Sequence, residues 1–503
     1  MSLALAGLLA LVLLVGALPS GAARAQTPTA STEIQVGLQA GFGDSKSYLI
    51  GEWLPVRVTL TNNPGSPARR VRVEVEAYGH SDDEVIGLYG RDVDLPSRSH
   101  KELTLYTFTG SYTRDFRVYV REGNNVLAGL STRAVPYEPP SNMLVGIASG
   151  DSTLLNALTN EQVGHVVASL APGMGQYGYG YPGAPSSGQG ATAIVAHVDL
   201  DSLPPAYQGW KPLGALLLDD VDAGSLSPEQ RAALETWVAE GGTLLVTSRP
   251  DGGDSTRALA DLLPVTVSGT RPMNVHRSLA DYVDREVLRG GDTVGNAVLN
   301  DSASESSRVL AMQDGTVLLA SRDLGRGRVI YMGLSAALPP LHGWDGTIPL
   351  MKKLLADTPV RPSYGASMRF GPSRGIYVGS LYGTYGSMFA MPGLDLPNAW
   401  IVGGFLLIYI LIIGPLNFIV LRRMRRAELA WVTVPALVAL FSVGAYLLAF
   451  QAKGGEVVSI RASAVNAYED VPHATTVQNY GLFSPVRRSY RLTIPAEATV
   501  TEL

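Results

Sequence analysis

Two uninterrupted apolar stretches dominate the last quarter of the chain. Ile401 to Leu421 and Leu429 to Phe450 contain no charged residue. Each is about 21 or 22 residues long, close to the roughly 20 that cross a hydrocarbon core at about 1.5 Å per residue. A charge at the centre of such a helix costs about 2.5–3.5 kcal/mol on insertion, so two clean runs in succession predict a membrane hairpin with spans over residues 400–421 and 429–450. Trp400, Trp431 and Tyr446 stand near the ends, where amphipathic rings favour the interface. Pro415 and Pro435 are costly in a soluble helix but tolerated in a span. Between the runs, residues 422–428 read RRMRRAE, with Arg422, Arg423, Arg425 and Arg426. Short basic loops stay cytoplasmic, which predicts that Gln26 to Asn398 and the carboxyl terminus are extracytoplasmic.

Upstream, the pattern changes twice. From residue 32 to 137, alternating segments such as WLPVRVTLTN, RRVRVEVEAY and DFRVYVRE are separated by turn signals at Asn62-Asn63-Pro64-Gly65 and Gly123-Asn124-Asn125. About seven short strands at this spacing predict an Ig-like antiparallel β-sandwich. The Arg- and Glu-bearing positions are most simply its solvated face. From residue 142 to 358, short apolar strands without alternation (MLVGIAS, TAIVAHV, LGALLLDD, TLLVTS) interleave with helices. This predicts a mostly parallel α/β sheet covered on both faces. The helix in SLSPEQRAALETWVAEGG carries its own signals: Ser227 at the N-cap, Pro228 at N1, Gln230 at N3 and a Gly241-Gly242 stop. TLLNALT, behind Asp151 and Ser152, is expected to form another helix.

Residues 173–190 are a Gly/Tyr/Pro/Ser insertion, expected to be a mobile loop. Residues 359–398 are a linker. Residues 456–503 resemble the first strands of a further outer β domain, and a chain stopping at Leu503 before completing it is expected to be a C-terminally truncated fragment. At the other end, an apolar core from Leu3 to Leu18 is followed by Pro19 and Ala23-Arg24-Ala25, predicting a signal peptide over residues 1–25 with cleavage between Ala25 and Gln26.

Composition narrows the chemistry. Only 17% of residues are charged, and the net charge of -5 leaves no basic footprint for nucleic acid. The absence of cysteine excludes disulfides, thiolate nucleophiles and Cys-ligated zinc.

WKPLGALLLDDVDAGSLSPEQRAALETWVAEGGTLLVTSRPD, with GRGRVIYMGLSAALPPLHGW after it, resembles the class I glutamine amidotransferase-like domains of membrane-anchored bacterial envelope proteins. The sequence IYILIIGPLNFIVLRR resembles the membrane hairpin attached to them. The resemblance covers roughly residues 142–450 and implies a flavodoxin-like α/β fold. True amidotransferases act through a cysteine, a histidine and an acid. Here TLLVTS ends instead at Ser248, with His197 and His342 as candidate bases; an ordinary structural role competes for each. Asp219, Asp220 and Asp222 fall at the carboxyl end of one predicted strand, and Asp199 and Asp201 follow its neighbour. Open α/β sheets bind ligands there, so these carboxylates are candidates for a divalent cation, against a plain role in loop solubility and helix capping. No other cofactor is implied.

The expected function is extracytoplasmic binding, scaffolding or sensing in the bacterial envelope without catalysis, with the bilayer and other envelope or membrane proteins as partners. The alternatives are a serine- or metal-dependent hydrolase of envelope material and an auxiliary subunit of a transporter or secretion complex.

Overall fold

The computed structural model describes residues 33–78, 85–109, 114–167, 189–248, 254–290, 293–299, 307–360, 399–452, 457–468, 471–484, 488–490 and 493. The expected signal peptide and its cleavage pair Ala25–Gln26, residues 173–188 of the insertion and 361–398 of the linker lie outside the described residues. The chain divides into two compact units, Met1–Tyr48 with Trp53–Pro136, and Leu49–Glu52 with Tyr137–Leu503.

The first unit has seven principal strands: β1 (Ile34–Ala40), β2 (Trp53–Asn62), β3 (Arg69–Tyr78), β4 (Val85–Leu95), β5 (His100–Phe108), β6 (Asp115–Glu122) and β7 (Asn125–Arg133). They form two antiparallel sheets, ordered β1-β2-β5 and β4-β3-β6-β7. Alternation places Val56, Val58 and Leu60 of β2 and Val71, Val73 and Val75 of β3 inside. Trp53 meets its cross-strand partner Phe108 at 5.4 Å and reaches Tyr89 of the other sheet at 6.2 Å, edge to face. The outward residues pair along and across strands, with Glu74 accepting from Arg72 of its own strand (2.9 Å) and from Arg121 of β6 (2.8 Å). Strand β4 had no expected counterpart, because Gly87 and Gly90 interrupt its pattern, yet it pairs with β3 along its whole length.

The second unit is built on an eight-stranded sheet. Its strands are β8 (Asn142–Ala148), β9 (Gln162–Val163), β10 (Ala191–His197), β11 (Leu213–Leu218), β12 (Thr243–Thr247), and, beyond a separate antiparallel pair β13 (Val265–Pro272) and β14 (Thr293–Leu299), β15 (Ser307–Gln313), β16 (Thr316–Leu324) and β17 (Gly327–Met332). The order is β9-β10-β8-β11-β12-β17-β16-β15. The five strands from β10 to β17 are mutually parallel, and the strands at both edges are antiparallel. Residues of both parities are buried, such as Leu216 with Leu217 and Leu244 with Leu245, so the sheet is covered on both faces.

Among the described residues four helices accompany it: α1 (Pro228–Ala239), α2 (Asp254–Ala258), α3 (Arg277–Val283) and α4 (Thr347–Leu355). Helix α1 opens with the expected capping box, Ser227 Oγ accepting from Gln230 N while Gln230 Oε1 accepts from Ser227 N. It packs through Leu234, Trp237 and Val238, and Trp237 Nε1 donates to Leu213 O at 2.9 Å. TLLNALT departs from expectation. Asp151 Oδ1 accepts from Thr153 N and Leu155 adopts φ 56°, so the segment closes as turns and a three-residue 3-10 helix.

Two apolar helices follow. The first comprises α5 (Ala399–Leu411), a π-turn (Ile412–Leu416) and α6 (Asn417–Arg423); the second is α7 (Ala430–Ala452). Pro415 sits in the π-turn, where its missing N–H is accommodated without ending the helix. Val402–Arg423 and Ala430–Leu447 are long and apolar enough to cross a membrane. Their apolar side chains are mostly exposed, Trp400 and Trp431 each at 86%. The two helices pack through Phe441, whose ring lies 5.5 Å from Phe405 and 5.2 Å from Tyr409. Strands β18 (Val458–Asn466) and β19 (Thr475–Phe483) then form an antiparallel ribbon.

Candidate functional site

Parallel strands deliver their following loops to one edge, and the candidate residues fall there because each ends or follows such a strand. Asp219 follows β11, Ser248 follows β12, Gly333 to Ala337 follow β17, and His197 ends β10. The backbone fixes the start of two of these loops: Asp219 N donates to Ala148 O at 2.9 Å, and Ser248 N to Met332 O at 2.8 Å.

Asp219 is fully buried. Its Oδ1 accepts from Ala336 N (2.8 Å), and its Oδ2 from Ser335 Oγ (2.9 Å) and Ala337 N (3.0 Å). Burial pushes this carboxyl above its ordinary pKa, against the opposite pull of the donors at Ala336, Thr247, Ser335 and Ala337. Since β12 lies between β11 and β17, Asp219 staples two strands across a third.

The other candidate carboxylates do not converge on Asp219. Asp220 sits in the left-handed region at φ 53°, with its N–H toward Thr247 Oγ1 at 3.4 Å. Asp222 caps a short 3-10 turn, accepting from Gly224 N at 2.8 Å. Asp199 precedes another 3-10 turn, and its carbonyl accepts from Ser202 Oγ at 2.7 Å. Among the described residues no group of three or more His, Asp or Glu side chains is placed to hold a metal ion. The spread has a plain cause: adjacent residues in a tight turn point in different directions, and Asp219 turns inward.

Ser248 is 2% exposed. Its Oγ and Tyr331 Oη lie against Gly295 of β14, where an added Cβ would stand 2.4 Å and 2.3 Å from them. Neither hydroxyl has a hydrogen-bond partner within normal geometry. Burial holds the Tyr331 phenol well above its ordinary pKa, with the nearby Ser248 hydroxyl pulling downward. The strand pair β13–β14 therefore covers the position where an elbow nucleophile would need access.

His197 Nε2 pairs with Asn156 Oδ1 at 2.9 Å. The chain also brings His197 and His342 into electrostatic range of Asp151. Asp151 itself is held below the usual carboxylate range, first by hydrogen bonds from Thr153 and then by the two histidines. This surface group is half legible in the sequence: both histidines stand out as candidate bases, whereas Asp151 reads only as a residue before an expected helix. Ser335 gave no signal, since nothing in GLSAALPP marks a partner 116 residues away. A separate open cleft of about 520 Å³ beside α4 is lined by Gln162, Gly164, Gly190, Arg285, Lys352 and Lys353. Of its cations, Lys352 pairs with Glu161, and Lys353 donates to the Tyr282 carbonyl.

Two domains of unknown function match the chain: DUF8726 over residues 33–135 and DUF7408 over residues 186–339. The first match spans the strands of the first unit. The second runs from before β10 to just past Ala337, and so contains Asp219, Ser248 and the staple. No curated protein sequence is similar enough to count as a match. Among solved structures, a cytoplasmic protein from Salmonella typhimurium LT2 shares 14% identity over 42% of this chain and 98% of its own, with a TM-score of 0.29. A second Salmonella typhimurium cytoplasmic protein gives 13%, 42%, 97% and 0.28. A β-galactosidase from Bacillus circulans gives 15% identity over 28% of this chain and 22% of its own, at 0.21. Likenesses at these TM-scores carry no functional argument.

Proposed function

We propose that this chain is a binding or scaffold protein of the bacterial cell envelope, anchored by α5 to α7, whose α/β domain recognises partners rather than catalysing a reaction. One observation carries the reading. The residues at the carboxyl ends of β11 and β12, where an enzyme of this architecture does its chemistry, are committed to structure: Asp219 to the staple and Ser248 to a site closed by Gly295. In this reading the first unit is an Ig-like sandwich, the α/β domain is a degenerate amidotransferase-like module, and both are extracytoplasmic. Residues 1–25 serve as the signal peptide, and Arg422, Arg423, Arg425 and Arg426 keep the turn of the hairpin in the cytoplasm. The partners are other envelope or membrane proteins.

The test is a turnover screen of the full chain in mild detergent against amide, ester and glycan substrates, together with a reporter fused at Arg425. No specific turnover and a cytoplasmic reporter are expected. Turnover that Ser248→Ala abolishes would replace the binding reading with a serine hydrolase, and an extracytoplasmic reporter would reverse the topology.

A further inference from the structure

The β18–β19 ribbon does not stand alone. Its tip closes on Glu240, the residue that ends α1. Asn466 Nδ2 donates to Glu240 Oε1 at 3.3 Å and Tyr468 Oη to Oε2 at 3.2 Å, while Thr475 Oγ1 donates to Oε1. Arg326, in the β16–β17 turn, adds its guanidinium 3.9 Å from Oε2 and lies over the Tyr468 ring at 5.7 Å. The Glu240 side chain is only 9% exposed within this ring of donors. Gly325 permits the approach: at φ +61°, a Cβ there would stand 2.6 Å from Ala239 O and 3.0 Å from Tyr468. A two-stranded ribbon is marginal alone in water, so this fastening supplies order that its own ladder lacks.

The position of the grip gives it meaning. Glu240 lies just before β12, and Arg326 just before β17, so the ribbon holds the amino ends of the parallel strands. Asp219, His197 and Ser248 are at the carboxyl ends of strands five to seven residues long, roughly 17–23 Å away at about 3.3 Å per residue. The base of the ribbon follows α7 closely, with Ala452 and Asn466 14 residues apart. That length bounds the grip to within about 50 Å of the helix end.

We propose that β18–β19 is a strut between the second apolar helix and the α/β sheet, fastened at Glu240, which turns the carboxyl-end loops of the sheet away from the bilayer. The orientation rests on the membrane reading above; the fastening does not.

Because the chain has no cysteine, introduced thiols report without background. Full-length protein carrying Arg326→Cys and Ala467→Cys, which leave the three hydrogen bonds to Glu240 in place, with a protease site inserted among residues 361–398, is treated with a short bis-maleimide and then cleaved. The two fragments are expected to stay joined on a denaturing gel, and either single-cysteine control to fall apart. Separate fragments in both detergent and nanodiscs overturn the strut. Glu240→Ala, which leaves all thiols out, is expected to raise amide exchange in residues 458–466 and 475–483 at least tenfold while β11 and β12 stay protected; unchanged exchange in the ribbon also overturns it. Energy transfer from labels at Lys211→Cys and Asp201→Cys to acceptor lipids tests the orientation. Stronger transfer from Lys211, at the amino end of β11, is expected, and equal or reversed transfer rejects it. Flotation of the same samples with liposomes separates the two claims: joined fragments without flotation keep the fastening and remove the membrane.

Discussion

At the scale of single residues, Gly295 and His276 make the sharpest predictions. Gly295 sits where any Cβ meets the hydroxyls of Ser248 and Tyr331. Gly295→Ala is expected to destabilise the α/β domain by about 1–3 kcal/mol through overpacking. Ser248→Ala alone removes a hydroxyl without a bonding partner and is expected to change stability by less than about 1 kcal/mol. In the Gly295→Ala background it should restore part of the loss, and a double-mutant cycle in urea reads the coupling. His276 is fully buried, with Nε2 donating to Gly290 O at 3.2 Å. Burial depresses its pKa, against a smaller upward pull from that bond. Between the depressed folded value and the ordinary one of about 6.5, the unfolded chain binds the extra proton, so stability rises with pH through this window. It is present in full above about 6.5 and lost as pH falls through the folded value. The thermal midpoint should fall on acidification from neutral pH, and His276→Leu should flatten that slope.

Among the elements, those with local signals were legible. Helix α1 was written out in advance by Ser227, Pro228, Gln230 and the Gly-Gly stop, because its terminal N–H groups are satisfied within four residues. Ser227→Ala is accordingly expected to cost about 1 kcal/mol, measured by denaturant titration. The parallel strands were legible as short apolar runs. Strands β4, β13 and β14 were not, since glycines and polar residues blur their alternation and their order comes from neighbours distant in sequence. The site was less legible still. The clustering of Asp219, Asp220 and Asp222 in sequence suggested a shared crevice, but a chain turning at Asp220 with φ 53° sends neighbouring side chains apart. Asp219 found its partners instead in a loop that only the assembled sheet brings near.

For the whole molecule, Asp219 is the residue on which the α/β domain is expected to depend most. Asp219→Ala leaves Ser335 Oγ and the Ala336 N–H buried without an acceptor, while Ala337 N keeps only Ser335 Oγ at 3.2 Å, and about 3 kcal/mol of stability is expected to go with the change. Ser335→Ala, which removes one neutral donor, should cost about 1 kcal/mol. Loss of the domain's thermal transition in the first variant, and its modest shift in the second, are the results to look for.

The same staple also sets a schedule. Asp219 cannot meet Ser335 until 116 further residues have been made. Central strand β12 has no neighbour on one side until β17 emerges. A chain emerging amino end first would therefore carry an open, apolar half-sheet through the 85 residues between Thr247 and Met332, closing it late and over a long loop. Ribosome-stalled chains ending near residue 320 should be protease-sensitive throughout β8 to β12, and those extending past Ala337 resistant, so that assembly of the sheet is gated by chain length.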